Sequence, residues 1–276
     1  MTRDARPGDL EPIVETLVAE WAAISDLLDI LADPEWSMAT ALPGWSVHDV
    51  VAHLIGTESV LAGEPVPEVP VETAQLFHVR NEIGASNERW AYALRDDPPA
   101  QLRARFRDIT DRRSRALRAM QPADFDAPTA TPVGTATYRR FMEIRVFDCW
   151  MHEQDIRDAT GHPGHQNGSC AEASIDEIVR ALGYLVGKRA GAPDGSTVTI
   201  ELTGPIFRTL HVAVDGRAHV VATLAAPATA AVHLSSNLFV RLAGGRTDPL
   251  AYLDDIRLEG DQELGQRLAT NLAYTI

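Results

Sequence analysis

The chain has 276 residues, 45% hydrophobic and 23% charged, with 25 Lys and Arg against 39 Asp and Glu for a formal charge of −14. These values exclude a disordered polyelectrolyte and leave room for one large domain or two ordinary ones. The acidic balance argues against nucleic acid or an anionic membrane as partner, and the one basic stretch, Arg112-Arg113 to Arg118, reads as the wet face of a helix.

Two cysteines, Cys149 and Cys170, are no disulfide framework in a chain of this length. Met1 to Pro7 has no apolar run of the signal-peptide kind. The most continuous apolar stretch, around Val220 to Leu234, carries Pro227 and His233 and is too short to span a bilayer. A cytoplasmic protein is the expectation.

In chain order, Ile13, Leu17, Trp21, Ile24, Leu28 and Leu31 recur at three- and four-residue spacing and predict a helix over about 9–32. After a loop at Ala41 to Trp45, Ser46 with Asp49 forms a capping-box pattern, predicting a second helix over about 47–62 that Gly63 and Pro65 stop. Leu76, Val79, Ile83, Trp90 and Leu94 mark a third helix, and Leu102, Phe106, Ile109, Leu117 and Met120 a fourth. A Pro- and Thr-rich loop precedes a long helix over about 137–159, closed by Gly161 and Pro163. The texture then changes, with a boundary at about 162–172. A helix over 174–189 leads into strand-like runs at 197–202, 210–214, 219–222 and 231–234, with Asp215-Gly216 as a hairpin turn. A short helix at 239–243, a strand-like 256–260 and a closing helix over 262–273 complete an α+β second half with an antiparallel sheet.

The chemistry concentrates in Arg145 to Asp155. On a helix Asp148, His152 and Asp155 share one stripe, with Arg145 one turn earlier. A carboxylate and an imidazole one turn apart can reach a single cation, yet such a pair reads equally as an exposed acid–imidazole pair, with Asp155 answering Arg145 or Arg157. His53 supplies a third candidate ligand, because it stands in the apolar run Val50 to Ile55 where an imidazole needs a partner. Two facing bundle helices could then hold one metal in their core. Two nitrogens and one carboxylate leave a fourth position open, as in catalytic zinc sites. Asp49 either takes the second N–H of His53 or is a helix-start acid. His48 and His78 read as solvent-facing.

The segment Leu42 to Leu54 resembles a signature of the mycothiol-dependent maleylpyruvate isomerase family, and Arg145 to Arg157 resembles a second one. The segments Phe239 to Arg246 and Leu258 to Asp261 are similar to the sterol-carrier-like second domain of the same proteins. The resemblance implies a DinB-like helical bundle over 1–164, an up-down four-helix core plus an extra helix, followed by a smaller sterol-carrier-like α+β domain over 165–276. It places the metal ligands at His53, Asp148 and His152, with Asp148 standing where the isomerase has a glutamate. It further implies Arg246, or else Arg241, as a catalytic arginine of the second domain, and Arg145 and Asp155 as supports behind the ligands. The implied chemistry uses one divalent metal, zinc by its donor set, and mycothiol or a similar thiol that adds to a small electrophile. A monomer or homodimer is expected. A metal-dependent hydrolase, active without thiol, and a non-catalytic metal- or ligand-binding protein are the alternatives.

Overall fold

The computed structural model describes residues 11–275. Residues 1–7 and the first two positions of the expected opening helix lie outside them. The chain divides between Gly164 and His165 into two compact units.

In the first unit the apolar periodicity becomes α1 (Pro12–Ile30), α2 (Val47–Leu61), α3 (Glu82–Leu94), α4 (Pro99–Ala119) and α5 (Tyr138–Thr160). Helices α1, α4, α2 and α5 close a four-membered ring, each packing on the next, and α3 adds a fifth helix against α2. Burial decides which faces turn inward: a buried Leu or Val side chain contributes about 1.5–3 kcal/mol, whereas an exposed ion pair gives ~0–1 kcal/mol. Thus α1 buries Val14, Leu17, Trp21, Ile24 and Leu28. Helix α2 is covered nearly all round, with every residue from Val50 to Ile55 buried, and this carries His53 into the interior. Its start is fixed by a capping box in which the Asp49 N–H donates to Ser46 Oγ (3.4 Å) and the Ser46 N–H to Asp49 Oδ2 (3.0 Å). Arg95 binds the other Asp49 oxygen at 3.1 Å, so this acid serves the helix start and not His53.

Gly56 permits the close approach of α2 and α3, since a Cβ there would lie 2.3 Å from Trp90 Cγ. Gly56→Ala should gain up to about 1 kcal/mol of helix propensity and lose about 1–3 kcal/mol to overpacking. Thermal denaturation should show a lowered Tm; an unchanged or raised Tm would contradict this contact.

Three features of this unit depart from the sequence expectation. The third helix starts at Glu82, capped by Asn81, while Leu76 and Val79 belong to the turn-rich approach. The Thr-rich loop pairs as a hairpin, β1 (Pro128–Thr131) with β2 (Gly134–Thr137), turning at Gly134 with φ 98°. Arg113 is buried against Glu58 on α2, whereas Arg112 and Arg118 are exposed, so only part of the basic stretch is a wet face.

The second unit holds α6 (Ser169–Tyr184), β3 (Thr197–Thr203), β4 (Arg208–Asp215), β5 (Arg217–Val221), β6 (Ala230–Ser235), α7 (Ser236–Ala243), β7 (Arg257–Gly260) and α8 (Gln262–Thr270). The sheet order is β5-β4-β3-β6-β7. Burial alternates along β4 and β6, with α6 packing on β4 and β5 and α8 on β6 and β7. The sheet is mixed and not purely antiparallel as expected: β3 and β6 are parallel. The β4–β5 hairpin and the loop over 222–229 bring β6 in at the start of β3, with Ala230 beside Val198. Both units together give the α+β, two-domain architecture. Among the described residues no helix is long and apolar enough to cross a membrane.

Candidate metal centre

His53 comes from the buried α2, and Asp148 and His152 come from α5, one turn apart. His53 Nε2 lies 3.3 Å from Asp148 Oδ2, and His152 Nε2 lies 3.7 Å from Asp148 Oδ1. The two imidazole centroids are 4.7 Å apart, and one ligand atom from each of the three residues lies within 4.8 Å of the others. Ligand atoms held tetrahedrally at about 2.0–2.1 Å from zinc are separated by about 3.3–3.4 Å. The observed spacing and the mixed nitrogen–oxygen donor set therefore fit one divalent metal of the zinc type. Both imidazoles are buried, while the Asp148 side chain keeps 31% of its exposure. The site is thus closed on the helix side and accessible at the carboxylate.

Each candidate ligand is held from behind. Asp155, itself buried, places Oδ2 3.0 Å from His152 Nδ1, which directs the other ring nitrogen toward Asp148. Thr57 Oγ1 stands 3.5 Å from His53 Nδ1 and donates to the His53 carbonyl at 3.1 Å. The Arg145 guanidinium binds Asp148 Oδ2 through Nη1 and Glu58 Oε1 through Nε at 2.9 Å. Glu58 is fully buried and accepts a second charge-assisted bond from Arg113 Nε, also 2.9 Å, while Arg113 Nη2 donates to the Tyr138 hydroxyl at 3.0 Å. The Trp45 ring lies 5.3 Å from that of His53 and 6.3 Å from that of His152. Its Nε1 donates to Glu88 Oε1 at 2.6 Å.

Burial pushes the His53 imidazole below its ordinary pKa, against the pull of Asp148. It is therefore neutral at pH 7, the form that can donate a lone pair to a metal. For Asp148 burial acts to raise the pKa, but the Arg145 guanidinium and the two imidazoles outweigh it and hold the carboxyl well below the usual range. Burial pushes the Cys149 thiol well up, which makes it a core residue and no nucleophile.

Sequence reasoning singled out His53, Asp148, His152, Arg145 and Asp155, and the structure brings these five together. It passed over Glu58, Arg113, Thr57 and Trp45. Glu58 carried the same signal as His53, a polar residue in an otherwise apolar helix. His48 and His78 are half-buried, not solvent-facing: His48 Nε2 lies 2.9 Å from the Asp97 carbonyl and His78 Nε2 lies 2.7 Å from Glu88 Oε1. The first faces a carbonyl of the turn between α3 and α4, the second a carboxylate of α3. Arg246 and Arg241 belong to the second unit, where Arg246 Nη1 donates to the Gly244 carbonyl at 2.6 Å and Arg241 lies 5.9 Å from the Tyr252 ring centre. A cavity of about 580 Å³ opens beside the site, with His53, Arg145 and Asp148 among its lining residues.

Comparison with known proteins gives a consistent placement. The family model for the mycothiol maleylpyruvate isomerase N-terminal domain matches residues 17–157, and the model for the C-terminal domain of the same proteins matches 172–267. An uncharacterised protein of Mycobacterium tuberculosis, strain H37Rv, is 25% identical over 203 residues, covering 73% of this chain and 75% of that protein. The crystal structure of the mycothiol-dependent maleylpyruvate isomerase superposes over 91% of this chain and 93% of that one, with a TM-score of 0.59 and 20% identity. That of a histidine-to-alanine mutant gives a TM-score of 0.56 at 19% identity over the same shares. At these identities the structural likeness speaks for the fold, and the family matches carry the assignment. With both of its halves matched, the chain belongs to the mycothiol-dependent maleylpyruvate isomerase family of enzymes.

Proposed function

We propose that His53, Asp148 and His152 bind one divalent metal, zinc by its donor set, and that the protein uses it to activate a low-molecular-weight thiol, mycothiol, for addition to a small electrophile. What supports this reading above all is the convergence of two buried imidazoles and a carboxylate, one imidazole held neutral, beside a cavity large enough for a small molecule. Bound there, such a metal supplies positive charge that lowers a thiol's pKa toward neutrality. Asp155 holds His152 in one tautomer and orientation, and Arg145, braced by Glu58, holds Asp148. Trp45 flanks both imidazoles and excludes water from that side of the site.

In the reaction the thiol proton passes to water, and a sulfur lone pair forms the S–C bond while the C=C π bond of the electrophile breaks and its pair moves onto the conjugated carbonyl oxygen as an enolate. The enolate then takes up a proton at carbon and departs as a conjugate, or, after rotation about the former double bond, it re-forms C=C, the S–C bond breaks, and the thiolate regains a proton from water and leaves with an isomer. A hydrolase would turn over without thiol. Assays on the metal-loaded protein with and without mycothiol distinguish the two, and turnover that ignores the thiol contradicts the proposal. Arg246 is proposed to assist turnover on the strength of the family resemblance. Arg246→Ala should lower kcat at least tenfold, while metal content by elemental analysis stays at the wild-type value; unchanged kinetics would remove Arg246 from the reaction.

A further inference from the structure

We infer that the electrophile accepted by this protein is an uncharged, largely apolar molecule and not a dicarboxylate, and that it occupies the 580 Å³ cavity beside the metal site. The inference deepens the proposed thiol chemistry and rests on it. The cavity lies wholly within the first unit, among α2, α3, α5 and the β1–β2 hairpin, and its volume falls in the range of small-molecule sites. Its walls are apolar: Val60, Leu61, Ile83, Trp90, Phe141 and Ile144. Gly56 belongs to the same wall, and its missing side chain is what lets the Trp90 ring lie against α2. His53 and Asp148 also line the cavity, so its occupant has one end at the candidate metal.

Charge then decides the class of occupant. Among the described lining residues Glu82 and Asp148 are acidic, and Arg145 is the sole arginine or lysine. Arg145 is buried and already bound to Glu58 and Asp148. The candidate metal answers one anionic group at the end of the cavity, but no further cation stands among the described lining residues, so a second carboxylate would lose its hydration against apolar walls and near the acid Glu82 without compensation. An uncharged enone or similar electrophile loses little hydration and gains contact with six apolar side chains. The neutral hydroxyl of Ser86 and amide of Asn87 line the cavity and can donate to a single carbonyl oxygen of such a molecule.

The test is calorimetric titration of the metal-loaded full chain, without thiol, with benzylideneacetone as the uncharged probe and maleate as the dicarboxylate. Benzylideneacetone should bind at least tenfold more tightly than maleate. Val60→Trp, which adds a ring at a partly exposed edge of the cavity (Val60 is 41% exposed), should weaken it at least tenfold with metal content and Tm unchanged. Maleate binding as tightly as the enone, or enone binding indifferent to Val60→Trp, would overturn the inference. A separate assay of mycothiol consumption keeps the two readings distinguishable. Selective enone binding without thiol-dependent conversion refutes the thiol chemistry and leaves the cavity's preference standing, whereas thiol-dependent conversion of maleate in preference to the enone refutes the preference alone.

Discussion

His152→Ala should cost the protein its stoichiometric metal and its thiol-dependent turnover together. His152 is one of three candidate protein ligands, and with it gone only His53 and Asp148, 3.3 Å apart, remain. The loss in metal affinity should exceed the roughly 10–100-fold that removal of a supporting partner produces. Asp155→Asn provides that comparison: its side chain keeps the shape but weakens the contact at 3.0 Å to His152 Nδ1, so metal affinity should fall about 10–100-fold. Competition with a chromophoric chelator measures both variants on one scale. Equal metal binding by wild type and His152→Ala would place the metal elsewhere.

Glu58→Ala should be among the most destabilising single changes in the first unit. The Glu58 carboxylate is wholly buried and shared between Arg113 and Arg145, themselves 4% and 3% exposed. Removing it leaves two buried guanidinium groups short of an anion, and breaking a buried pair in this way costs about 3–5 kcal/mol. For a protein of this size that corresponds to a fall in Tm of roughly 6–20 °C. The measurement belongs on metal-free protein, because metal bound to the native state would raise the apparent stability and mask the change. A Tm within a degree of wild type would show that the cluster does not need its central acid.

How much of this was legible in the sequence differs between the site and its supports. The candidate ligands were readable because period and polarity conflict at their positions: His53 interrupts an apolar helix, and Asp148 and His152 form a stripe within one. The bundle was readable from the spacing of Leu17, Trp21, Ile24 and Leu28 and its counterparts in the other helices. Arg113 was not, because its local sequence is a charge run, and a residue's burial there depends on which helix it faces. Only the packing of α4 on α2 puts Glu58 opposite it. The β1–β2 hairpin hid for a related reason: its four-residue strands carry threonines and no apolar alternation. The parallel pairing of β3 with β6 was invisible because a strand's sequence records its faces and not the direction in which its neighbour enters. The Asp215-Gly216 turn was plain, since it demands a positive φ at Gly216, found at 66°.

Three side chains of two helices are proposed to grip one cation and leave it room for a sulfur ligand. Absorption spectroscopy of the cobalt-substituted protein, before and after addition of mycothiol, decides the matter. A visible spectrum of a low-coordinate cobalt site is expected in the wild type and is missing in His152→Ala, and a new sulfur-to-metal charge-transfer band should arise when the thiol is added. A spectrum unaltered by saturating thiol, or one that survives the loss of His152, would contradict the proposed site.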